Sequence, residues 1–278
     1  MKYADTIQGF AQTARSKADM IRENPLGFLV LAMKAGAYVG LGIILIFSAG
    51  QGLDPSLRPI VMGASFGIAL TLVVFAGSEL YTGHTMYMTV GWLTGRTGPT
   101  DLLKCWAGSW FGNLAGAGLL ACIFVIAGGG VVLKGEGDIL LHAVAAKKIN
   151  APAVELFARA VLCNWLVCLA LWCSARSLSD TAKCILIFWC LYAFIAAGFE
   201  HSVANMTVFG IALLSEHPDA IGWAGAARNL LIVTAGNAVA GVFIMGVGYW
   251  LAAGRPRVST PAPTRLPTVE EAGSSVTG

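Results

Sequence analysis

The sequence predicts an all-α membrane protein with six transmembrane helices, of which the second and the fifth are broken near their middle. Three observations predict this class. Of the 278 residues, 56% are hydrophobic and 12% are charged, whereas roughly a quarter of the residues in an average soluble domain are charged. Six apolar segments each supply the roughly 20 helical residues needed to cross a hydrocarbon core. Two of these segments contain a short polar interruption.

The apolar segments divide the chain into three parts. Residues 1–24 precede the membrane domain, which covers residues 25–253 as two halves of about 25–132 and 153–253. Residues 254–278, rich in Pro, Ser and Thr, are predicted to be a disordered cytoplasmic tail. The predicted spans are Pro25–Gly50, Pro59–Leu93, Leu102–Val132, Ala153–Ala175, Ala182–Leu214 and Ala224–Ala253.

Residues 1–24 are predicted to form an amphipathic helix on the inner face of the membrane. Ile7, Phe10 and Ala14 recur at helical spacing, and we expect Lys17 to lie on the opposite, polar face. This pattern favours a docking helix.

The distribution of basic residues predicts which side of the membrane faces the cytoplasm. Lys and Arg near the ends of spans are retained on that side. Eleven basic residues fall on the side that holds both termini and five on the other side, so both termini are predicted to be cytoplasmic. The eleven are Lys2, Arg15, Lys17, Arg22, Arg96, Lys104, Arg176, Lys183, Arg255, Arg257 and Arg265. The five are Arg58, Lys134, Lys147, Lys148 and Arg228.

Both polar interruptions put ionisable side chains where a bilayer holds no water. The first is GSELYTGH at residues 77–84, and the second is GFEHS at residues 198–202. An ionisable group at that depth is costly, so it indicates a solute path. A half-helix is predicted to begin after each break, the first with Thr82 as its N-cap and the second near His201 or Ser202.

The two halves of the chain match each other at an offset of about 120 residues. Glu79 in the first break matches Glu200 in the second, and Asn113 in the third span matches Asn237 in the sixth. Because each half has three spans, the second half is predicted to be inverted relative to the first, so that the broken helices meet at the midplane. Both half-helices then aim their N-termini at the pore centre. A helix N-terminus carries partial positive charge, which favours an anion over a cation.

The polar residues near the breaks have distinct predicted roles. His201 is the strongest candidate for a pore-lining residue, because histidine gives or receives a proton near neutral pH. Glu79 and Glu200 are expected to accept hydrogen bonds from the free backbone N–H groups of the breaks. His84 either lines the path or serves in capping or packing. The candidates for satisfying the remaining backbone groups are Asn113, Asn164, Asn205 and Asn237.

Several other classes of site are not predicted. The seven cysteines include no CxxC pair, and Cys163, Cys168 and Cys173 are five residues apart, so their side chains do not converge on one helix face. We therefore expect no metal and no other cofactor. The net charge of +3 reflects membrane topology, and without a basic stripe with interleaved aromatic residues we expect no nucleic-acid partner.

Three segments resemble the signatures of a known family, the formate/nitrite transporters, which are bacterial inner-membrane anion channels. They are AGSELYTGH at residues 76–84, RAVLCNWLVCLA at 159–170 and EHSVANM at 200–206. The resemblance covers about residues 20–253. NPLGF at residues 24–28 and GHTM at residues 83–86 look most like the nitrite branch of this family.

This resemblance implies an aquaporin-like protomer in a homopentamer, with one pore in each protomer and no catalytic activity. The implied partners are nitrite and similar small monovalent anions, and the lipid bilayer. Thr82 and His201 would face each other at the pore centre, and Lys148 would attract anions in the outer vestibule. The supporting polar residues would be Asn164, Glu200, Asn205 and Glu79. The constriction residues would be Leu80 and Phe194 on the cytoplasmic side, and Phe66, Leu70 and Val167 on the outer side.

A proton role for His201 is a hypothesis at this point. A bare anion that enters an apolar ring loses hydration free energy of several kcal/mol or more. If His201 protonates nitrite or shares a proton with it, a neutral acid crosses the ring.

Two kinds of alternative remain open. The first is a different solute on the same scaffold, namely formate or hydrosulfide. Water and glycerol are disfavoured, because the paired Asn-Pro-Ala breaks of aquaporins are missing. The second is a haem-binding membrane anchor subunit of a respiratory enzyme, with His84 and His201 as ligands. Such anchors usually carry their histidines on continuous helices, and these two lie at breaks.

Overall fold

The computed structural model of the protein describes residues 2–134 and 139–257, and it contains no strand within those ranges. Residues 258–278 of the predicted disordered tail lie outside the described residues. The helices are α1 (Tyr3–Glu23), α2 (Pro25–Gly50), α3 (Arg58–Ser65), α4 (Gly67–Phe75), α5 (Tyr81–Leu93), α6 (Pro99–Ile126), α7 (Gly130–Leu133), α8 (Leu140–Asn150), α9 (Ala153–Ala175), α10 (Asp180–Ala196), α11 (Ser202–Leu214), α12 (Trp223–Val239) and α13 (Gly248–Ala252). A π-helix, Ala240–Val247, joins α12 to α13.

Five stretches of helix in the described part are long and apolar enough to cross a membrane. They are Pro25–Gly50, Arg58–Phe75, Pro99–Ile126, Ala153–Ala175 and Trp223–Ala252. Each falls within or overlaps a predicted span. The remaining predicted span, Ala182–Leu214, is divided between α10 and the shorter apolar helix α11. The all-helical membrane class is therefore confirmed, while the layout of six spans as two inverted repeats stays a prediction.

Both predicted breaks are present and have the same construction. Helices α4 and α10 end in a turn at a glycine, with φ of +69° at Gly77 and +70° at Gly198. Ser78 and Phe199, which follow the two glycines, each donate their amide N–H to a carbonyl five residues back. This pattern is the Schellman helix ending, and it needs a left-handed residue that glycine adopts without steric cost.

An asparagine from a neighbouring helix closes each break. The side-chain oxygen of Asn113, on α6, accepts the amide N–H of Tyr81 at 2.9 Å. Its nitrogen donates to the carbonyls of Ala32 and Glu79. Asn237, on α12, makes the same three bonds in the second half. These bonds satisfy backbone groups that have no water in a bilayer, so the prediction that these two asparagines do so is confirmed. The partners of Asn237 are the Ser202 amide and the carbonyls of Ala160 and Glu200.

Glycines let α2 and α6 approach until their backbones touch. A Cβ atom added at Gly36 would lie 2.0 Å from the carbonyl oxygen of Asn113, and one at Gly116 would lie 1.8 Å from that of Met33. Real Cβ atoms do not come this close to backbone. The contact holds α6, and with it Asn113, against the first break.

Helix α1 packs its apolar side on the rest of the protein. Ile7, Phe10 and Ala14 are buried, and the Phe10 ring lies 5.0 Å from the ring of Tyr87 on α5. The expectation that Lys17 lies on the opposite, polar face is wrong. Lys17 comes three residues after Ala14, so helical geometry puts both on one side, and the Lys17 side chain is only 22% exposed.

Candidate functional site

Two large cavities lie beside the two breaks. The first, which we call the α1 vestibule, has a volume of about 480 Å³, and its lining includes Lys17, Glu79, Leu80, His84 and Lys183. The second, the α8 vestibule, has a volume of about 510 Å³, and its lining includes Arg58, Lys147, Lys148, Arg159, Phe194, Glu200 and His201. Basic side chains outnumber carboxylates in both linings.

A narrow central chamber of about 10 Å³ lies between the two vestibules. That volume is about enough for one water molecule. Leu80 borders both the chamber and the α1 vestibule, whereas Phe194 and His201 border both the chamber and the α8 vestibule. The three spaces therefore lie in series through the helices, and the chamber is the smallest of them. The chamber is lined by Val39, Phe66, Ala69, Leu70, Leu80, Val167, Leu191, Phe194 and His201.

All five predicted constriction residues line this chamber, but one lies on the wrong side of it. Phe194 and Leu80 were both expected toward the cytoplasm. Instead, Phe194 packs edge-on against Phe66, with ring centroids 5.5 Å apart, and borders the α8 vestibule. The reason is that Phe194 belongs to the last turn of α10, before the second break, while Leu80 follows the first break. The expectation that Leu80 and Phe194 lie on the same side of the chamber is therefore wrong.

Thr82 and His201 meet beside the chamber, from opposite halves of the chain. The hydroxyl oxygen of Thr82 lies 3.1 Å from Nε2 of His201. Nδ1 of His201 accepts the amide N–H of Ala204, also at 3.1 Å. This bond assigns the ring proton to Nε2, which donates to Thr82 and leaves the threonine hydroxyl proton free for another acceptor. The Phe194 ring stacks on the imidazole, with centroids 6.0 Å apart.

The predicted N-cap role of Thr82 is wrong. Helix α5 begins at Tyr81 with Leu80 as its N-cap, so Thr82 is already inside the first turn. The second half-helix begins at Ser202, as expected from the sequence, and the structure shows that His201 caps it with its ring nitrogen. Since the Tyr81 amide is bound by Asn113, the hydroxyl of Thr82 is not needed as a cap and is available to His201.

Asn164, on α9, holds the backbone behind Thr82. Its side-chain nitrogen donates to the carbonyl of Thr82 at 3.3 Å, to the hydroxyl of Thr85 at 3.1 Å and to the carbonyl of Asn237 at 2.6 Å. A Cβ at Gly241, in the π-helix, would lie 1.8 Å from the Thr85 hydroxyl. The π-helix, α9 and α5 are thus in direct contact at the level of Thr82.

In the α8 vestibule, Glu200 forms a buried cluster. One of its oxygens accepts from Lys148 Nζ at 2.8 Å and from the Asn205 side chain at 2.7 Å. Asn205 also donates to Asn229, which in turn donates to the backbone carbonyl of Lys148. The Glu200 side chain is 3% exposed and that of Lys148 is 17% exposed, so the positive end of the pair faces the cavity.

In the α1 vestibule, Glu79 forms a similar cluster. Its Oε1 accepts from Lys17 Nζ, and its Oε2 lies 2.8 Å from Nε2 of His84. The other ring nitrogen of His84, Nδ1, is 3.3 Å from Sγ of Cys105 on α6. As in the other vestibule, the carboxylate is buried, while the lysine is partly exposed.

These two clusters correct the predicted role of the glutamates. Glu79 and Glu200 bind lysines and side chains of their own half-helices, and the asparagines of α6 and α12 take the backbone N–H groups instead. The sequence interpretation missed Lys17 as a partner. Lys17 precedes Glu79 by 62 residues and Lys148 precedes Glu200 by 52, so the two spacings differ and the sequence repeat gave no direct signal for Lys17.

The alternative of haem ligation by His84 and His201 is not favoured. Both ring nitrogens of each histidine already lie close to protein groups, namely Glu79 Oε2 and Cys105 Sγ for His84, and the Ala204 amide and the Thr82 hydroxyl for His201. An axial ligand needs one free nitrogen.

Comparisons with known proteins agree on one family. The model of the formate/nitrite transporter family matches residues 4–251. The nitrite transporter NirC of Salmonella typhimurium is 50% identical over 273 residues, which cover 98% of this chain and all of that protein. A solved structure described as an FNT family ion channel superposes with a TM-score of 0.86 at 51% identity, covering 89% of this chain and 98% of the other. A pentameric formate channel with formate bound superposes with a TM-score of 0.69 at 26% identity, covering 82% and 96%. The chain belongs to the formate/nitrite transporter family.

Proposed function

We propose that this protein is a nitrite channel or transporter that passes small monovalent anions through each protomer. The observation that carries the proposal is the path from vestibule to vestibule, with the Thr82–His201 pair beside its narrowest point. The preference for nitrite over formate is supported by similarity. The chain is 50% identical to a nitrite transporter and 26% identical to the formate channel.

The charges along the path favour anions at both mouths. Lys148, Lys147 and Arg58 line the α8 vestibule, and Lys17 and Lys183 line the α1 vestibule. In a funnel with low-dielectric walls, such charges raise the local anion concentration. The buried glutamates bind the two cluster lysines and hold them in position at the cavity walls.

At the chamber, hydrogen bonds replace part of the anion's hydration. The apolar lining provides no compensation for lost water, so dehydration there costs several kcal/mol. Beside this point, the Nε2–H of His201 donates to the Thr82 hydroxyl oxygen, and the hydroxyl proton of Thr82 is the donor left for an anion. We assign anion binding at the pore centre to these two groups, with Asn164, Glu200, Asn205 and Glu79 as their structural support.

The proposal includes a proton role for His201. Nitrite that takes a proton crosses the apolar walls as neutral nitrous acid. For the ring to pass on the Nε2 proton, Nδ1 must gain one, and this breaks its hydrogen bond to the Ala204 amide. Proton transfer at His201 is therefore coupled to the first turn of α11, which makes it dependent on a local movement.

We further propose a bacterial inner-membrane location with both termini cytoplasmic and assembly as a homopentamer. The excess of Lys and Arg on the side of the termini supports this orientation. It assigns the α1 vestibule to the cytoplasm. The similarity to a pentameric formate channel supports the subunit count. Transport through such a pore requires no catalytic chemistry.

Nitrite uptake into proteoliposomes tests this function. We expect the wild type to take up nitrite far faster than empty vesicles, and His201→Asn to lose most of that rate and to change its pH profile. His217→Asn, at an exposed loop position, is the matched control and should behave as wild type. Formate or hydrosulfide added in competition ranks the substrates. Uptake equal to that of empty vesicles would reject the transport function, and an unchanged His201→Asn profile would reject the proton role.

A further inference from the structure

The two vestibule clusters share a lysine and a glutamate and differ in the side chains beyond them, which are His84 and Cys105 in one and Asn205 and Asn229 in the other. Lys17 corresponds to Lys148, and Glu79 to Glu200. Five residues after each glutamate, the side chain that contacts the carboxylate is His84 in the first half and Asn205 in the second. One mouth of the path therefore carries a titratable group where the other carries a neutral amide.

The surroundings of His84 allow its ring to accept a proton without losing a contact. Its Nε2 lies 2.8 Å from the Glu79 carboxylate and its Nδ1 lies 3.3 Å from the Cys105 thiol. A thiol both donates and accepts weakly, so when Nδ1 gains a proton, the S–H turns away and the sulfur becomes the acceptor. His201 has no such freedom, because a backbone N–H that points at Nδ1 cannot reverse.

The charged and titratable groups around His84 come from several neighbouring elements. Glu79 comes from the break and Lys17 from α1. Cys105 comes from α6, one turn after Asp101. Tyr87, on the same half-helix, has its ring centroid 6.5 Å from the imidazole, and Lys183 of α10 lines the same vestibule. Burial of the ring opposes the imidazolium, the carboxylate of Glu79, which is in direct contact, favours it, and Lys17 opposes it.

We propose that the Glu79–His84 pair is a proton-binding site that makes the charge of the α1 vestibule cluster, and with it anion entry there, dependent on pH, whereas the matching cluster of the α8 vestibule carries no histidine. With neutral His84, the charges of Lys17 and Glu79 cancel. A proton from the water of the vestibule adds one positive charge to this cluster, beside Leu80 and the entrance to the chamber. In the α8 vestibule Asn205 holds the charge of the matching cluster constant. The inference rests on the proposed function, and it specifies a regulatory site within it.

Nitrite flux measured with the pH changed on one side at a time tests this asymmetry. Protease access to an N-terminal tag identifies which side bears α1. The pH on that side is lowered from about 8 to about 6, the range in which histidine ordinarily titrates. This change should raise wild-type flux by about threefold to tenfold, which is at or below the low end of the rate increases that charged funnels produce. Empty vesicles at each pH correct for direct permeation of nitrous acid.

Two reciprocal substitutions separate this site from the pore centre. His84→Asn, which copies the other vestibule, should abolish the pH dependence on the α1 side, and Asn205→His should create one on the α8 side. Cys105→Ser, which keeps a group that donates and accepts, should retain the dependence, while Cys105→Val should weaken it. Thermal unfolding in detergent checks that each variant is folded.

The outcomes are distinguishable. If folded His84→Asn keeps the wild-type pH dependence on the α1 side, the proton-binding site is rejected. If the wild type carries no nitrite, the proposed function itself is rejected. If Asn205→His is folded and adds no dependence, the pairing of an imidazole with the glutamate is not sufficient and the inference is overturned.

Discussion

Asn113 and Asn237 bind the two breaks in the same way, each accepting the first amide of a half-helix at 2.9 Å. Each asparagine also donates to two carbonyls, so one side chain satisfies three backbone groups. This shared arrangement explains how two interrupted helices remain stable in the middle of the protein.

Replacing Asn113 by Leu should strongly destabilise the protein. The substitution leaves one N–H and two carbonyls buried without partners, and each such group costs about 1–3 kcal/mol. We expect a large drop in the thermal unfolding temperature in detergent. Asn150→Ala, at the exposed end of α8, is the control. An Asn113→Leu variant that unfolds at the same temperature as the wild type would contradict this account of the break.

Gly116→Ala should destabilise the protein and Gly118→Ala should not, although both residues lie on α6. A Cβ at position 116 would lie 1.8 Å from the Met33 carbonyl, whereas nothing lies within 4 Å of one at position 118. Overpacking of this kind costs about 1–3 kcal/mol, so Gly116→Ala should lower the unfolding temperature. Gly118→Ala should be neutral or stabilising. Equal unfolding temperatures would mean that α2 and α6 do not approach each other as closely as described.

Thr82→Val should slow nitrite transport more than Thr82→Ser does. Valine keeps the shape but removes the hydroxyl that accepts from His201 and offers a proton to the anion, whereas serine keeps it. Initial uptake rates at a fixed nitrite concentration measure the difference. Two variants with the same rate would indicate that the hydroxyl is not used at the pore centre.

Lys148→Gln should reduce nitrite uptake most strongly at low nitrite concentration and low salt. The substitution removes an attracting charge from the α8 vestibule and leaves the Glu200 carboxylate without its cation. The difference from wild type should shrink in about 1 M salt, where the screening length falls to about 3 Å. Lys134→Gln, at an exposed position outside the vestibule linings, is the control. A difference that does not depend on salt would exclude electrostatic attraction as the reason.

Phe194→Ala should raise anion flux and weaken selection by size. The ring packs on Phe66 and on His201, so its loss widens the chamber toward the α8 vestibule. Uptake of nitrite and of a larger monovalent anion by the same vesicles measures both effects. Phe243→Ala, at an exposed position of the π-helix, controls for general loosening. Unchanged flux would mean that Phe194 does not limit passage.

The sequence predicted features that depend on local composition. The lengths of the apolar segments located most of the spanning helices. A glycine two residues before a glutamate located both breaks. The role of the paired asparagines also followed from the sequence, because a broken membrane helix leaves backbone groups that need polar partners. The contact between Thr82 and His201 agrees with what the family resemblance implied.

The remaining errors concern contacts between distant segments. Hydrophobic periodicity marks a buried face of α1, but it does not reveal whether protein or lipid covers that face, so Lys17 was missed as the partner of Glu79. The side of the chamber on which Phe194 lies depends on how two halves of the chain pass each other. The pattern of residues within one segment carries no information on how the two halves pass each other.

The order of the cluster residues along the chain has a consequence for biosynthesis. Lys17 and Lys148 are translated 62 and 52 residues before Glu79 and Glu200, respectively. The ribosome produces the N-terminal part first, so each carboxylate leaves the exit tunnel after the cation that neutralises it already exists. The asparagines that close the breaks lie 34 and 37 residues after the glutamates. A nascent chain can therefore compensate its charge before it can complete its backbone hydrogen bonds.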